Sequence, residues 1–219
     1  MSNRPTPPDA HRALLVIGGA GPAPGVLAAM AREAQRIVAA DSGLDLCLTA
    51  GIVPDLVVGD MDSLSDPRLL DAYPPERVLR FPTDKDETDT EIGMRLLRER
   101  GYQSISIAGG GGGRLDHLMA IMGLFERENP PSAWKTDKEE VFPIEGEWVF
   151  EGWKGATVSV FPIGNSASGL HSEGLQWPLD GLVFRRGYPG VSNRAIADIV
   201  KVEARNGRVV VIKSTVKES

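Results

Sequence analysis

The carboxylates of this sequence are concentrated in turns that follow short apolar runs. Ten of the fifteen aspartates lie within residues 41–89. Asp60 and Asp62 follow the run Leu56-Val57-Val58 after Gly59, and residues two apart on an extended chain point to the same side. Two carboxylates held that close repel each other unless a cation lies between them, and Mg²⁺ shared with substrate phosphates is the usual cation there. The pair therefore predicts a magnesium site, with a solvated turn as the alternative.

A second acidic turn, Lys85-Asp86-Glu87-Thr88-Asp89, leads into a helical pattern. Thr88 and Glu91 have the spacing of a capping box, which predicts Thr88 as the N-cap of a helix. Asp86 and Asp89 then flank the N-terminus of that helix. They are candidates for the same crevice as the first pair, although acids at this position also stabilise a helix through its dipole.

The third feature that could take part in chemistry is a run of five glycines, residues 109–113, which Arg114 and Asp116 follow. Glycine lets the backbone approach a ligand closely or expose amide donors to an anion. Arg114 would suit a polyphosphate, and Asp116 would lie on the side of the metal or the nucleophile. The alternatives are a flexible surface loop for the glycines and a purely structural role for His117.

The elements that must position these turns alternate between strand and helix in the first half of the chain. This alternation predicts a parallel sheet with covering helices. Ligands of such sheets bind outside the carboxyl ends of the strands, so the acidic turns and Asp41-Ser42-Gly43 should converge on one crevice. The predicted strands are 13–17, 37–40, 56–58, 78–81 and 104–108, and the predicted helices are 26–36, 44–50, 88–100 and 118–127.

The second half has a different composition, with nine of the thirteen aromatic residues after Pro130. Short β-type runs separated by Gly, Pro and Asn predict an all-β domain, a sandwich or a barrel. Asn206-Gly207 between two β-branched runs is a hairpin signal. The fold class is therefore α/β, an N-terminal parallel-sheet domain over residues 13–130 followed by a C-terminal β-sandwich over 140–219. The charged segment Glu128–Glu140 is the predicted linker.

Composition excludes several classes of protein. The net charge of −6 lacks the basic footprint that general nucleic-acid binding needs. The single cysteine, Cys47, excludes an intramolecular disulfide. No apolar stretch approaches the roughly 20 residues of a membrane span, and no apolar signal core follows the polar N-terminus, so we expect a cytoplasmic protein. The sequence contains neither a Walker motif nor a Gly-x-Ser-x-Gly elbow. These residues alone predict a metal-dependent phosphate enzyme.

Six motifs in order narrow the prediction. The sequence resembles the thiamine pyrophosphokinase family from about Ala13 to Ile212. The motifs are Asp41-Ser42-Gly43, PDLVVGDMDS (Pro54–Ser63), KDETD (Lys85–Asp89), GGRLDH (Gly112–His117), GLQWPL (Gly174–Leu179) and VSN (Val191–Asn193). The family usually has Asp-Gly-Gly where this chain has Asp-Ser-Gly, and its loop is often shorter than the glycine run here. Neither departure removes an ionisable group.

The resemblance implies a reaction, a cofactor and a set of residues. ATP and thiamine would give thiamine diphosphate and AMP with Mg²⁺, in a homodimer with composite active sites between subunits. The implied catalytic residues are Asp60, Asp62, Asp89 and Asp116, of which Asp60, Asp62 and Asp89 would bind the metal. The implied ATP-binding residues are Asp41, Ser63, Thr88, Arg114, Gly112 and Gly113. The implied substrate-binding residues are Lys85, Asp86, Trp177, Ser192 and Asn193.

Three other functions remain open from the sequence. A pterin pyrophosphokinase would keep the aspartates and change the acceptor pocket. A nucleotide-sensing module that has lost catalysis would bind without turnover. A metal phosphohydrolase would release phosphate without an acceptor.

Overall fold

The computed structural model describes residues 11–214, which form two compact units. Residues 11–124 with 134–137 form the α/β unit, and residues 125–133 with 138–214 form the β unit. No helix among the described residues is long and apolar enough to cross a membrane.

The α/β unit is built on a sheet with strand order β6-β5-β1-β2-β3-β4. The pairs that β1 makes with β2 and β5, and that β3 makes with β2 and β4, are all parallel. The predicted parallel sheet is therefore confirmed. The strands are β1 (Arg12–Ile17), β2 (Arg36–Ala40), β3 (Leu56–Gly59), β4 (Val78–Arg80), β5 (Ser104–Ala108) and β6 (Ala133–Lys135), and the helices are α1 (Pro24–Glu33), α2 (Gly43–Thr49), α3 (Asp89–Glu99) and α4 (Leu115–Leu124).

Local sequence explains where the helices begin. Thr88 caps α3: its Oγ1 accepts the backbone N–H of Glu91 at 3.2 Å, and its own N–H donates to Glu91 Oε2 at 2.9 Å. The predicted capping box is therefore confirmed. Helix α1 begins two residues earlier than predicted because Pro24 suits the first helical position. Helix α4 begins at Leu115, three residues early, with Asp116 in its first turn where a carboxylate favours the helix dipole.

The β unit contains an antiparallel sheet with strand order β10-β8-β11-β7, and β9 pairs with β8. Its strands are β7 (Glu139–Phe150), β8 (Thr157–Glu173), β9 (Phe184–Arg185), β10 (Gly190–Arg194) and β11 (Val200–Ser214). The rings of Phe142 and Phe150, eight residues apart on β7, lie 5.3 Å apart, whereas a straight strand would separate them by roughly 27 Å. The strand bends at Gly146 (φ 70°), so the long strands fold over into a two-layer sandwich around one core.

The predicted Asn206-Gly207 hairpin is wrong. The two flanking runs do not pair with each other, because both belong to the single long strand β11. Residues 200–204 and 209–214 pair with different halves of β7, with a register shift between them. Gly207 (φ 82°) has the backbone that the motif favours, but it serves the bend between the two layers of the sandwich.

The segment predicted as a linker contains a strand, β6. Trp134 in that strand is buried, and its Nε1–H donates to the carbonyl oxygen of Gly109 at 2.8 Å. The Gly109 N–H donates to Lys135 O at 3.0 Å. Residues 134–137 are thus part of the α/β unit, and Trp134 anchors them beside the glycine run.

Cys47 on α2 is fully buried, and burial raises the pKa of its thiol to about 12. Because the thiolate is the reactive form, we expect no reaction of native protein with Ellman's reagent at pH 8. In denaturant, one thiol per chain should react, since the unfolded thiol regains an ordinary pKa. Rapid labelling of the native protein would contradict this buried placement.

Candidate active site

Three aspartates meet at the carboxyl ends of the parallel strands. Asp41 follows β2, Asp60 follows β3, and Asp89 is the first residue of α3. One carboxylate oxygen from each lies within 4.8 Å of the others, and all three residues are half-buried. We call this group the carboxylate cluster. The structure thus brings together one aspartate from each of three turns that strand-end placement predicted to converge.

Lys85 neutralises part of the carboxylate cluster. Its Nζ lies 3.1 Å from Asp60 Oδ2 and 3.3 Å from Asp89 Oδ1. All three side chains are largely shielded from solvent, so these ion pairs are screened less than exposed ones would be. A residue predicted to contact substrate thus also acts as the counter-charge of the cluster.

The environment shifts the pKa values of these groups in different directions. Burial alone would raise the pKa of Asp60, but hydrogen bonds from the Asp62 N–H and from Lys85 lower it below its usual value. Burial raises the pKa of Asp89, and the attraction of Lys85 offsets only part of that increase. Burial would lower the pKa of Lys85, yet the two carboxylates raise it above its ordinary value. The cluster therefore holds one firmly ionised carboxylate and one that accepts a proton more readily.

The donor set fits a divalent cation such as Mg²⁺. Asp41 Oδ1 is buried and has no hydrogen-bond partner among the described residues, which is costly for a carboxylate unless a ligand completes it. The backbone around it is adapted to this packing. Asp41 has φ 47°, and Gly59 has φ 140° with a would-be Cβ only 3.2 Å from Asp89 Oδ1. Three carboxylates are ligands of the type that Mg²⁺ prefers.

Asp62 lies outside the carboxylate cluster. The prediction that Asp60 and Asp62 point to the same side is wrong, because Met61 between them is buried with φ 68° and the backbone is not extended. The exposed Asp62 carboxylate accepts the Ser63 hydroxyl at 2.8 Å, and the Asp62 N–H donates to Asp60 Oδ1 at 3.3 Å. Asp41, which the sequence assigned to ATP, takes the third place in the cluster instead.

The glycine run divides into a packed part and an open part. Gly109 and Gly111 are glycines because of close packing, which the sequence did not indicate. A Cβ on Gly109 would lie 2.1 Å from Ile17 O, and Gly111 exchanges two backbone hydrogen bonds with Ala20 at 2.6 and 2.9 Å. Gly112 and Gly113 are exposed, and a Cβ added to either would meet no atom closer than 3.5 Å. Of the five glycines, only Gly112 and Gly113 therefore have the open surroundings that the predicted contact with a ligand needs.

Arg114 and Asp116 pair with each other at the start of α4. Arg114 Nε donates to Asp116 Oδ1 at 3.2 Å, and both side chains are exposed. Among the described residues, no hydrogen bond or ion pair joins this pair to the carboxylate cluster. Two other predicted residues are also exposed: Asp86, and Thr88, whose hydroxyl serves the cap of α3.

In the β unit, Trp177 borders an apolar cavity of about 180 Å³. Its side chain is 56% exposed, whereas the other three tryptophans are buried. Asn193 also lines this cavity, together with Pro178, Leu182, Phe184 and Val191. Ser192 is exposed with φ 58°, and its N–H donates to Ser159 Oγ at 3.2 Å. The structure thus brings Trp177 and Asn193 to a common cavity, and their contact with substrate stays a prediction.

Carboxylates gathered at the ends of parallel strands are typical of enzymes that handle phosphorylated substrates through a divalent cation. The fold and the site define a protein of this class, with an apolar binding cavity in a second, all-β unit. Residues 27–132 match the family model described as thiamin pyrophosphokinase, catalytic domain, and residues 142–209 match thiamin pyrophosphokinase, vitamin B1 binding domain. The chain belongs to the thiamin pyrophosphokinase family and is an enzyme, as the six motifs predicted.

Similar proteins agree with this assignment. A thiamine pyrophosphokinase of Bacillus subtilis strain 168 is 27% identical over 188 residues, which are 81% of this chain and 86% of the relative. The crystal structure of thiamine pyrophosphokinase from Bacillus subtilis has a TM-score of 0.77 at 21% identity, over 93% of this chain and 99% of that one. Yeast thiamin pyrophosphokinase has a TM-score of 0.71 at 16% identity, over 95% and 88%. At these identities the two structures establish the shared fold.

Proposed function

We propose that the protein is a thiamine pyrophosphokinase, which transfers the pyrophosphoryl group of ATP to the hydroxyl of thiamine and forms thiamine diphosphate and AMP. The observation that carries this proposal is the ordered match of a catalytic and a vitamin B1 binding domain in one chain. The pterin alternative is not favoured, because the binding domain matched is that for vitamin B1. The sensing alternative is not favoured, because the match includes the catalytic domain and the curated relative is named as an enzyme. In this proposal, residues 13–130 are the catalytic domain and 140–219 the thiamine-binding domain.

Mg²⁺ is the proposed cofactor, held by Asp41, Asp60 and Asp89. Its support is the fit described above, three carboxylates of which two, Asp41 and Asp89, have a buried oxygen that accepts no hydrogen bond among the described residues. When bound, such an ion neutralises negative charge on the phosphate oxygens of ATP. The family resemblance adds Asp62 as a further ligand, which would require its exposed side chain to turn toward the cluster.

The remaining residues of the catalytic unit have proposed roles in positioning and proton transfer. The thiamine hydroxyl must attack the β-phosphorus of ATP while negative charge moves to the leaving AMP, so positioned cations assist the transfer. Lys85 forms ion pairs with two members of the cluster, and the exposed Arg114, with Gly112 and Gly113, is proposed to contact phosphates. The hydroxyl proton needs an acceptor, and the two proposed candidates are Asp89 and Asp116.

Thiamine is proposed to bind at the cavity beside Trp177. Its aminopyrimidine is a flat heteroaromatic ring and its thiazolium is a permanent cation, and an indole face attracts both. We further propose a homodimer in which each active site takes the carboxylate cluster from one subunit and Trp177 from the other. The cytoplasmic location stays a prediction from the sequence.

The reaction is tested by incubating the protein with ATP, Mg²⁺ and thiamine and resolving the nucleotide products. We expect AMP and thiamine diphosphate in equal amounts, and no product when EDTA is added. ADP in place of AMP would mean transfer of the γ-phosphoryl group and would refute the proposal. Release of phosphate without thiamine would indicate a phosphohydrolase, and turnover only with a hydroxymethylpterin would indicate the pterin enzyme.

A further inference from the structure

Asn193 is a buried polar residue whose side chain is committed to the backbone of Trp177. Its Oδ1 accepts the Trp177 N–H at 3.2 Å, and its Nδ2 donates to the Trp177 carbonyl oxygen at 2.6 Å. Oδ1 also accepts the N–H of Arg194 at 2.8 Å. Both lone pairs of Oδ1 and one of the two Nδ2 hydrogens are therefore used within the protein. The sequence assigned Asn193 to substrate binding, but these contacts describe a clamp on the backbone of one residue.

Neighbouring bonds hold the rest of the same segment. The Gln176 N–H donates to Arg194 O at 2.8 Å, and the Leu179 N–H donates to the buried Ser172 Oγ at 2.9 Å. Pro178 restricts the backbone of Trp177 to extended conformations. The main chain of this segment is thus fixed on both sides of Trp177, while the indole itself remains more than half exposed.

A fixed backbone under an exposed ring is the arrangement of a preformed binding platform. A ring that is already held in its binding orientation loses less conformational freedom when a ligand arrives, and this increases affinity without any new contact. The cavity beside Trp177 is apolar, and the exposed indole face favours a flat aromatic ligand that gains from stacking. The orientation of the indole then depends on the backbone that Asn193 holds.

We propose that Asn193 is a positioning residue, which acts on the substrate through Trp177 rather than by direct contact. This inference rests on the proposed function for the identity of the ligand, thiamine. In this proposal the asparagine of the VSN motif is part of the structure of the pocket. Its side chain holds the backbone of Trp177 and thereby orients the indole, which stacks on the aminopyrimidine.

The kinetic test is a double-mutant cycle with Asn193→Ala and Trp177→Ala. Asn193→Ala should raise the KM for thiamine about ten-fold and leave kcat and the KM for ATP within two-fold. In the Trp177→Ala background, the same change should have no further effect on the KM for thiamine, because a residue that acts only through Trp177 has nothing left to position. An equal increase in both backgrounds would mean direct contact with thiamine and would overturn the proposal, as would an unchanged KM.

Two more variants keep the test decisive if Asn193→Ala is poorly folded. Asn193→Asp conserves the shape and the acceptor oxygens but replaces the donor to the Trp177 carbonyl, so it should also raise the KM for thiamine. Val200→Ala, at a fully buried position on β11, controls for loss of stability alone. It should lower the melting temperature and leave the KM for thiamine within two-fold.

A spectroscopic readout separates this proposal from the proposed function. Trp177 is the exposed tryptophan, so the difference in emission between the unmodified protein and Trp177→Phe reports on it. We expect Asn193→Ala to lower the anisotropy of that difference emission without any ligand present. Unchanged anisotropy would overturn the positioning role, whereas absence of AMP formation by the unmodified enzyme would refute only the thiamine pyrophosphokinase activity.

Discussion

Replacing Asp60 or Asp89 by Asn is expected to lower the rate of thiamine diphosphate formation by about 10²-fold or more, the loss typical of removing one element of transition-state electrostatics. Both residues belong to the carboxylate cluster, and the amide of Asn keeps the size of the side chain while removing its charge. The measurement is kcat, which should fall, together with the Mg²⁺ concentration needed for half-maximal activity, which should rise in both variants.

The same two variants should differ in their effect on stability when Mg²⁺ is removed with EDTA. The folded-state pKa of Asp60 is lowered, so its ionised form stabilises the fold at pH 7, and this contribution is lost as pH falls through that pKa. The folded-state pKa of Asp89 is raised, so its contribution is present below the unfolded pKa and is lost as pH rises through the folded pKa. At pH 7, Asp60→Asn should therefore lower the melting temperature, and Asp89→Asn should maintain or raise it.

Asp71→Asn is the matched control for these changes, because Asp71 is an exposed aspartate of the same unit. It should leave both activity and melting temperature nearly unchanged. If Asp60→Asn and Asp89→Asn kept near-normal activity and undiminished stabilisation by Mg²⁺ and ATP, the magnesium site would be refuted. The cluster would then be a set of solvated turns. Asp62→Asn adds a further comparison: a loss as large as that of Asp60→Asn would show that Asp62 turns into the site when substrates bind.

The sequence predicted those features of the cluster that follow from the position of its residues at the ends of strands. Asp41, Asp60 and Asp89 each lie at the same edge of one parallel sheet, and alternation of strand and helix was sufficient to indicate that. It could not predict that Asp62 turns away, because this depends on the left-handed backbone of the buried Met61. A non-glycine residue with positive φ is uncommon, and tertiary packing decides where it occurs.

The second half illustrates the same limit. The Asn206-Gly207 motif favours a turn-forming backbone, and Gly207 has one. The motif does not specify which strands the residues before and after it pair with. Pairing here is decided by the long partners β7 and β8, which bend together with β11. Likewise, glycines 109 and 111 are required by close packing against β1 and Ala20, a contact between segments that lie far apart in the sequence.

Trp177→Ala is expected to raise the KM for thiamine by roughly ten-fold or more, which corresponds to a loss of about 1.4 kcal/mol per decade. The KM for ATP should change little, because ATP is assigned to the other unit. A tryptophan that filled the core would cost roughly 3–5 kcal/mol of stability when truncated. Trp177 is instead 56% exposed, so the melting temperature should fall only slightly.

Trp148→Ala is the matched control, because Trp148 is a buried tryptophan of the same unit. It contacts Phe142 and Phe150 in the core of the sandwich, so its truncation should destabilise the protein strongly. A large loss of stability in Trp177→Ala, equal to that of Trp148→Ala, would contradict the surface placement of Trp177. An unchanged KM for thiamine would remove Trp177 from the binding site.

Mixing Trp177→Ala with Asp60→Asn tests the proposed sharing of sites between subunits. If each active site takes Trp177 from one subunit and Asp60 from the other, a heterodimer of the two impaired variants contains one site with both residues intact. At a thiamine concentration well below the KM of Trp177→Ala, we expect up to about a quarter of the unmodified activity after subunit exchange, because about half of the dimers are mixed and each has one of two sites restored. Exchange is verified with differently tagged chains. Proven exchange without recovery would mean that both residues come from the same chain, since no mixed site would then be complete.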